Sequence, residues 1–213
     1  MTTRDLLGEE ARLELEAGIV LLRERATALA PALLAAVAAV VEAAPLRRMV
    51  TPGGLPMSVA MTNCGDCGWV SDRKGYRYAP RDPLSDRPWP PLPPVLSALA
   101  TAAAADAGFP GFTPDVCLVN EYVAGTRLTL HQDRDEADYA HPIVSVSLGV
   151  SANFVLGGLA RRDRTRRLPL HHGDVLVWGG PARLRYHGVL ALAADTHPLL
   201  GARRLNLTFR RAG

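Results

Sequence analysis

The sequence predicts an α+β chain, with helices in its N-terminal half and an antiparallel sandwich or jelly roll in its C-terminal half. Three observations predict this. The alanine-rich helical stretches all fall before residue 114. After Pro114 the apolar spacing shifts toward two, in short β-branched runs separated by glycine turns. There is neither βαβ alternation nor a glycine-rich phosphate loop, so helices first and strands afterwards point to an antiparallel architecture.

The size of 213 residues favours a single domain, 1–213. Hydrophobic residues make up 48% and charged residues 21%, which excludes disorder, a collagen-like repeat and a disulfide scaffold. Three cysteines, Cys64, Cys67 and Cys117, are few and odd in number, so a reducing, cytoplasmic setting is expected. The chain opens with Asp5, Glu9, Glu10, Glu14 and Glu16 against Arg4 and Arg12, which is not a secretory signal pattern. The most apolar stretch, 26–44, is mostly alanine, contains Pro31 and stops at Pro45. A membrane span needs about 20 strongly apolar residues, so this is a buried helix and no membrane association is expected.

Along the chain, Ala17 to Leu22 reads as a short strand, and Thr27 as the N-cap of a helix running to Ala44. From Val50 to Pro94 the texture turns to glycine and proline, with seven prolines between Pro80 and Pro94. A loop region this long points to function. A second helix follows at about Val95–Ala107. Strands are then expected at Val116–Tyr122, Ile143–Val150, Asn153–Leu156, Asp174–Trp178 and Arg204–Arg210.

Net charge is +3, and its distribution says more than its total. Arg161, Arg162, Arg164, Arg166 and Arg167 crowd around one Asp163. On charge alone a solvated loop is the better reading than a phosphate contact.

Chemistry gathers on two segments. Successive strand side chains point to opposite faces, so Arg204, Asn206, Thr208 and Arg210 share one face and Leu205, Leu207 and Phe209 the other. Two guanidiniums with an amide and a hydroxyl suit a small dicarboxylate; a wet edge strand is the plainer alternative. In His131-Gln132-Asp133 the imidazole and the carboxylate face one way at a strand or its end. They supply two of the three ligands of a facial-triad iron site. The third ligand has five candidates: His141, His171, His172, His187 and His197. His141 and His197 precede prolines and His171-His172 reads as a turn, whereas His187 follows the Asp174–Trp178 strand.

The order His-x-Asp, distant His, Arg-bearing strand resembles the iron(II)/2-oxoglutarate dioxygenases. Further motifs narrow the resemblance to the AlkB family of alkylated-nucleic-acid demethylases, most closely its bacterial members. They include Met57-Ser58-Val59-Ala60-Met61-Thr62-Asn63-Cys64-Gly65, Gly68-Trp69, Gly75-Tyr76-Arg77-Tyr78, Asn120-Glu121-Tyr122 and His131-Gln132-Asp133-Arg134-Asp135-Glu136. Pro142 through Gly149, Gly173 through Gly180 and Arg204 through Arg210 complete them, and the likeness covers roughly residues 15–213.

The resemblance implies a double-stranded β-helix, a cupin-like jelly roll, over about 114–213. It implies a nucleotide-recognition lid over about 50–92, after an N-terminal strand and helix at about 17–49. It implies Fe(II), 2-oxoglutarate and O2 as cofactor and co-substrates. His131, Asp133 and His187 match the iron ligands. Asn120, Tyr122, Arg204, Asn206 and Arg210 match the 2-oxoglutarate pocket, with Arg204 at the distal carboxylate and Arg210 at the one beside the metal. Trp69, Tyr76, Asp135 and Arg161 match positions that hold the damaged base, with Trp69 and Tyr76 expected to sandwich it. The implied reaction restores 1-methyladenine or 3-methylcytosine by hydroxylating the N-methyl group and shedding formaldehyde. The implied partner is single- or double-stranded DNA carrying alkylated bases, with RNA left open, and a monomer is expected. Arg127 and Arg134 stand where lysine is common, and Cys67 is an extra cysteine.

The pattern Cys64-Gly65-Asp66-Cys67 has zinc-like spacing, but only Cys117 remains where four ligands are needed. Two rival readings are weighed. One is a dioxygenase of the same scaffold acting on something other than nucleic acid, against which Trp69, Tyr76 and Asp135 speak. The other is a non-enzymatic nucleic-acid-binding module, against which the complete His131/Asp133/His187 set with Arg204 and Arg210 speaks.

Overall fold

A computed structural model describes residues 11–213; the acidic opening with Asp5, Glu9 and Glu10 lies outside them. Numbered along the chain, the strands are β1 (Arg12–Glu16), β2 (Ile19–Leu22), β3 (Ala60–Gly65), β4 (Gly68–Asp72), β5 (Gly75–Ala79), β6 (Val116–Tyr122) and β7 (Leu128–His131). Then come β8 (Ile143–Gly149), β9 (Ala152–Leu156), β10 (Arg166–Leu170), β11 (Val175–Trp178), β12 (His187–Val189) and β13 (Arg204–Arg210). The helices are α1 (Ala30–Ala43) and α2 (Pro94–Asp106).

Seven strands form a major sheet in the order β1-β2-β11-β8-β13-β6-β3, and four form a minor sheet in the order β10-β9-β12-β7. β4 and β5 stand apart as a hairpin. Every pairing is antiparallel. This is the jelly-roll architecture that the period-two pattern predicts.

The major sheet has a separate apolar layer on each face. Outward, Val20, Leu22, Val175, Val177, Leu205, Leu207 and Phe209 pack with Leu33, Val37 and Val40 of α1 and Leu96, Leu99, Ala100 and Ala103 of α2. The alanine-rich helix faces allow close approach to the sheet, and each large side chain so buried contributes about 1.5–3 kcal/mol. Inward, Ile19, Leu21, Leu118, Tyr122, Leu176 and Trp178 meet Phe154, Leu156 and Val189 of the minor sheet. Burial on both faces explains why β2, β8 and β11 are continuous apolar or small runs.

Two expectations, the Thr27 cap and the 161–167 loop, are corrected, and two segments are placed. Thr27 is no N-cap: it opens a 3-10 turn, Thr27–Leu29, and α1 begins at Ala30 with Leu29 as its N-cap, making no side-chain bond. Thr27 instead packs on Gly173, whose φ of +88° and contact with the Thr27 hydroxyl leave no room for a Cβ. The polar segment Arg12–Glu16 pairs with β2 as the edge strand β1. Arg166 and Arg167 open β10 and do not belong to a free loop. Within residues 50–92, β3 pairs with β6 in the major sheet, while β4 and β5 form a separate hairpin whose Val70 packs in the inner apolar layer with Trp89.

Candidate active site

The polar face of β13 looks inward, and register explains what it meets. Asn206 lies between Asn120 of β6 and Ser147 of β8, while Arg204 lies between Tyr122 and Gly149. Asn206 Nδ2 donates to Ser145 Oγ at 2.8 Å and to the Val146 carbonyl at 3.0 Å, and Thr208 Oγ1 donates to Asn206 Oδ1 at 3.0 Å. Arg204 is 1% exposed, with its guanidinium 6.0 Å from the centre of the Tyr122 ring. Its Nη2 donates to Ser147 Oγ at 2.9 Å, yet its Nε and Nη1 have no partner among the described residues. The Arg210 Nη1 and Asn120 Oδ1 atoms are likewise buried without partners. Burial brings the Arg204 pKa down to about 10. A buried guanidinium lacking a carboxylate is costly, and its free fork suits an anionic ligand.

Beside this pocket lie His131 at the end of β7, Asp133 just beyond it, and His187 opening β12, directly across from His131. One ligand atom from each lies within 4.8 Å of the others. His131 Nε2 is 3.6 Å from Asp133 Oδ1, and His187 Nε2 is 3.7 Å from Asp133 Oδ2. Each imidazole uses Nδ1 to donate to a backbone carbonyl, His131 to Thr129 at 2.8 Å and His187 to Arg185 at 3.0 Å. Those bonds fix the tautomer and turn both Nε2 lone pairs toward Asp133, the arrangement a metal needs. Phe154 stacks on His187 at 5.7 Å and Trp178 meets its edge at 5.0 Å. This apolar collar lowers the His187 pKa to about 4, chiefly through burial and then through His131. A neutral imidazole is the ligating form. The His131 side chain stays 33% exposed and marks the open side.

Burial alone would raise the Asp133 pKa, but the charge and hydrogen bonds of Arg210 outweigh it and hold the carboxylate ionised. Arg210 Nη2 and Nε contact Asp133 Oδ2 at 2.5 and 3.0 Å. Behind them, Glu136 faces Arg210 at 3.2 Å and Arg183 at 3.1 Å, and accepts from Tyr78 Oη at 2.8 Å. Arg183 also donates to the Asp133 carbonyl at 2.8 Å. Two carboxylates balance two guanidiniums, so Asp133 is held at both its side chain and its backbone. Two imidazoles and a carboxylate with open positions form the donor set of a non-haem iron site.

This geometry agrees with the family comparison: the 2OG-Fe(II) oxygenase superfamily profile matches residues 19–210. The chain is also 53% identical over 210 residues to the alpha-ketoglutarate-dependent dioxygenase AlkB of Salmonella typhimurium, covering 98% of this chain and 97% of that one. The chain belongs to the AlkB family of 2OG-Fe(II) oxygenases. A DNA N(6)-methyladenine demethylase of Arabidopsis thaliana, ALKBH1C, is 42% identical over 113 residues, 48% of this chain and 25% of that one. The solved structure of OsALKBH1 superposes with a TM-score of 0.78 at 28% identity, covering 94% of this chain and 99% of that one. Fe(II), 2-oxoglutarate and O2 are therefore this AlkB-family enzyme's cofactor and co-substrates.

The structure brings the expected base-holding residues together only in part. Trp69 and Tyr76 lie on one face of the β4–β5 hairpin, diagonally across the pairing of Trp69 with Tyr78 and Ser71 with Tyr76. Diagonal neighbours of this kind reach each other. Their rings stack at 5.6 Å and 13°. Trp69 Nε1 donates to Asp135 Oδ2 at 2.8 Å, tying the hairpin to the segment after Asp133. Arg161 is exposed on the β9–β10 turn, 5.7 Å from the Tyr186 ring, and contacts none of the other three.

Sequence reading assigned no role to Ser145, Ser147, Glu136, Tyr78 or Arg183. The serines were readable, since they alternate along a strand otherwise apolar on its other face. Nothing in the local pattern marked Glu136, Tyr78 or Arg183, whose network closes only in three dimensions. Cys64 and Cys117 sit opposite each other across β3 and β6 as free, buried thiols. Cys67 is a free, half-buried thiol whose pKa burial, with Asp115 and Asp66, pushes up to about 12. Among the described residues, His131, Asp133 and His187 form the single cluster suited to a metal, and no helix is long and apolar enough to cross a membrane.

Proposed function

We propose that this enzyme oxidatively demethylates N-alkylated bases such as 1-methyladenine and 3-methylcytosine in DNA. The single observation that carries the reading is a three-ligand metal cluster beside a buried arginine fork without a counter-ion. Relatives named as an alpha-ketoglutarate-dependent dioxygenase and as a DNA demethylase support the substrate class. When bound, iron with 2-oxoglutarate and O2 supplies the oxidising power, leaving succinate, carbon dioxide and a hydroxylated N-methyl carbon that departs as formaldehyde.

The protein's own groups position the reactants. His131, Asp133 and His187 would hold the iron, Arg204 the distal carboxylate of 2-oxoglutarate and Arg210 the one beside the metal, with Asn120, Tyr122 and Asn206 completing the pocket. Arg210 keeps Asp133 ionised, so that residue enters the site ready to ligate. A base must leave the helix stack to reach the site. The Trp69–Tyr76 pair would hold it, and Asp135, which accepts from Trp69 Nε1, would receive the positive charge of a methylated base. We propose that the enzyme works as a monomer in the cytoplasm, where its three cysteines stay reduced.

The test is formaldehyde release from single-stranded DNA carrying 1-methyladenine, with iron and 2-oxoglutarate omitted in turn. Product in all three conditions, or in none, contradicts the reading.

A further inference from the structure

The turn between β10 and β11, residues 171–174, holds the two residues of β8 that face Arg204. Ser147, whose Oγ accepts from Arg204 Nη2 at 2.9 Å, donates its N–H to the Asp174 carbonyl at 2.9 Å and accepts the Gly173 N–H on its own carbonyl at 2.8 Å. Gly149 lies across from Arg204 in the register and donates its N–H to Nδ1 of His172 at 3.0 Å. At a φ of +90° it packs against the Arg203 carbonyl, which leaves no room for a Cβ. The backbone beside Arg204 is thus tied to a side chain that can take up a proton.

A backbone N–H can only donate, so Nδ1 of His172 is unprotonated and the ring proton sits on Nε2. The nitrogen open to a further proton is therefore the one that Gly149 already uses. An imidazolium donates at both nitrogens and accepts at neither, so protonation would set N–H against N–H and release Gly149. His197 stacks on His172 at 4.2 Å, and its Nδ1 in turn accepts the Leu199 N–H at 3.2 Å. A charge on either ring would face the other. The remaining charged groups around the turn are engaged. Asp174 accepts from Arg23 at 2.5 Å and from the Glu24 and His171 N–H groups at 3.1 and 2.8 Å. His171 directs its Nδ1 to Ser151 Oγ at 2.9 Å, and Arg203 donates to Glu121 at 2.9 Å. Burial and then His197 lower the His172 pKa against the pull of Asp174, which keeps the ring neutral down to roughly pH 6.5 and below.

We propose that His172 is a positioning residue for the 2-oxoglutarate pocket: neutral, it fixes the β8 backbone that seats Arg204, and protonated, it releases that backbone and weakens 2-oxoglutarate binding. The proposal rests on the assignment of Arg204 to the distal carboxylate. Release of Gly149 loosens the end of β8, so the Arg204 fork loses the fixed aim set by Ser147 and by the register.

The experiment uses the iron-loaded full chain without oxygen. The 2-oxoglutarate Kd is measured by calorimetry between about pH 5.5 and about pH 8 for wild type, His172→Asn and His172→Leu. Asparagine places Oδ1 where Nδ1 stands, so it accepts the Gly149 N–H at every pH; leucine removes the acceptor at every pH. Near pH 8, wild type and His172→Asn should agree within about twofold, and His172→Leu should bind about 2- to 12-fold more weakly, the effect of one neutral hydrogen bond. Below about pH 6.5 the wild type should fall away from His172→Asn toward His172→Leu, while the ratio of the two variants stays constant. Acid effects on the iron ligands are common to all three and cancel in these ratios. By reciprocity, saturating 2-oxoglutarate should lower the His172 ring pKa, followed by NMR with zinc in place of iron, by about one unit for a tenfold effect. Identical pH profiles for wild type and His172→Asn, or a ring pKa that ignores 2-oxoglutarate, overturn the proposal and leave the Arg204 assignment standing; these two readouts decide even if His172→Leu does not fold. A wild type that binds no 2-oxoglutarate at any pH overturns that assignment and the proposal with it.

Discussion

Replacing Arg204 with lysine separates charge from geometry in the proposed 2-oxoglutarate pocket. The wild-type guanidinium is buried, spends Nη2 on Ser147 and keeps Nε and Nη1 free. Lysine retains one positive charge but has no fork, so one of two charge-assisted hydrogen bonds to the ligand carboxylate is lost. Such a bond contributes about 1.5–3 kcal/mol, which at about 1.4 kcal/mol per decade raises the KM for 2-oxoglutarate about 10- to 150-fold. The oligonucleotide KM should stay within about twofold, because no side chain of the β4–β5 hairpin hydrogen-bonds Arg204. Thermal melting adds an independent readout. At 100 times its Kd, a ligand stabilises its protein by about 2.7 kcal/mol, which for a chain of this size moves Tm by roughly 5–10 °C. Wild type should show that 2-oxoglutarate-dependent shift and Arg204→Met should lose it. Without ligand, Arg204→Met should melt no lower than wild type, since it removes an unpaired buried charge. A 2-oxoglutarate KM unchanged in Arg204→Lys, or a ligand-induced shift retained in Arg204→Met, would refute the assignment.

Three further outcomes are expected. His131→Ala, Asp133→Ala and His187→Ala should each lose iron binding and turnover, followed by metal titration and formaldehyde assay; near-wild-type activity in any one removes that residue from the ligand set. Tyr76→Ala should weaken oligonucleotide binding about tenfold or more with little salt dependence, because base stacking contributes about 1–3 kcal/mol and releases few counterions, whereas Arg127→Ala should flatten the salt slope by about 0.7; swapped behaviour contradicts this division. His172 stacks on His197 at 4.2 Å and accepts from the Gly149 N–H at 3.0 Å, and burial followed by His197 lowers its pKa despite nearby Asp174. Its unfolded form therefore takes up a proton first as pH falls below roughly 6.5, so wild-type stability should drop from there downward, and urea melts should show a shallower drop for His172→Asn.

Much of this was legible in the residues because strand periodicity is a local property. Alternation along Arg204–Arg210 placed two arginines and an amide on one face and three apolar side chains on the other, and β13 occupies those seven residues. The motif His131-Gln132-Asp133 likewise announced two ligands, since residues two apart face one way at a strand end. Helix ends were less legible. Thr27 satisfies a local capping rule, but contact with Gly173 draws it away from that role. The third ligand could not be selected from five histidines by periodicity. Pairing of β12 with β7 brings His187 to the candidate site, because hydrogen-bond register sets it directly across from His131. The stacked Trp69–Tyr76 pair, the Glu136–Arg183–Arg210 network and the unpartnered Arg204 fork also depended on tertiary structure. Each depends on distances between segments remote in sequence, where closure of the sheets, rather than local preference, decides which polar groups meet and which are left to bind a ligand.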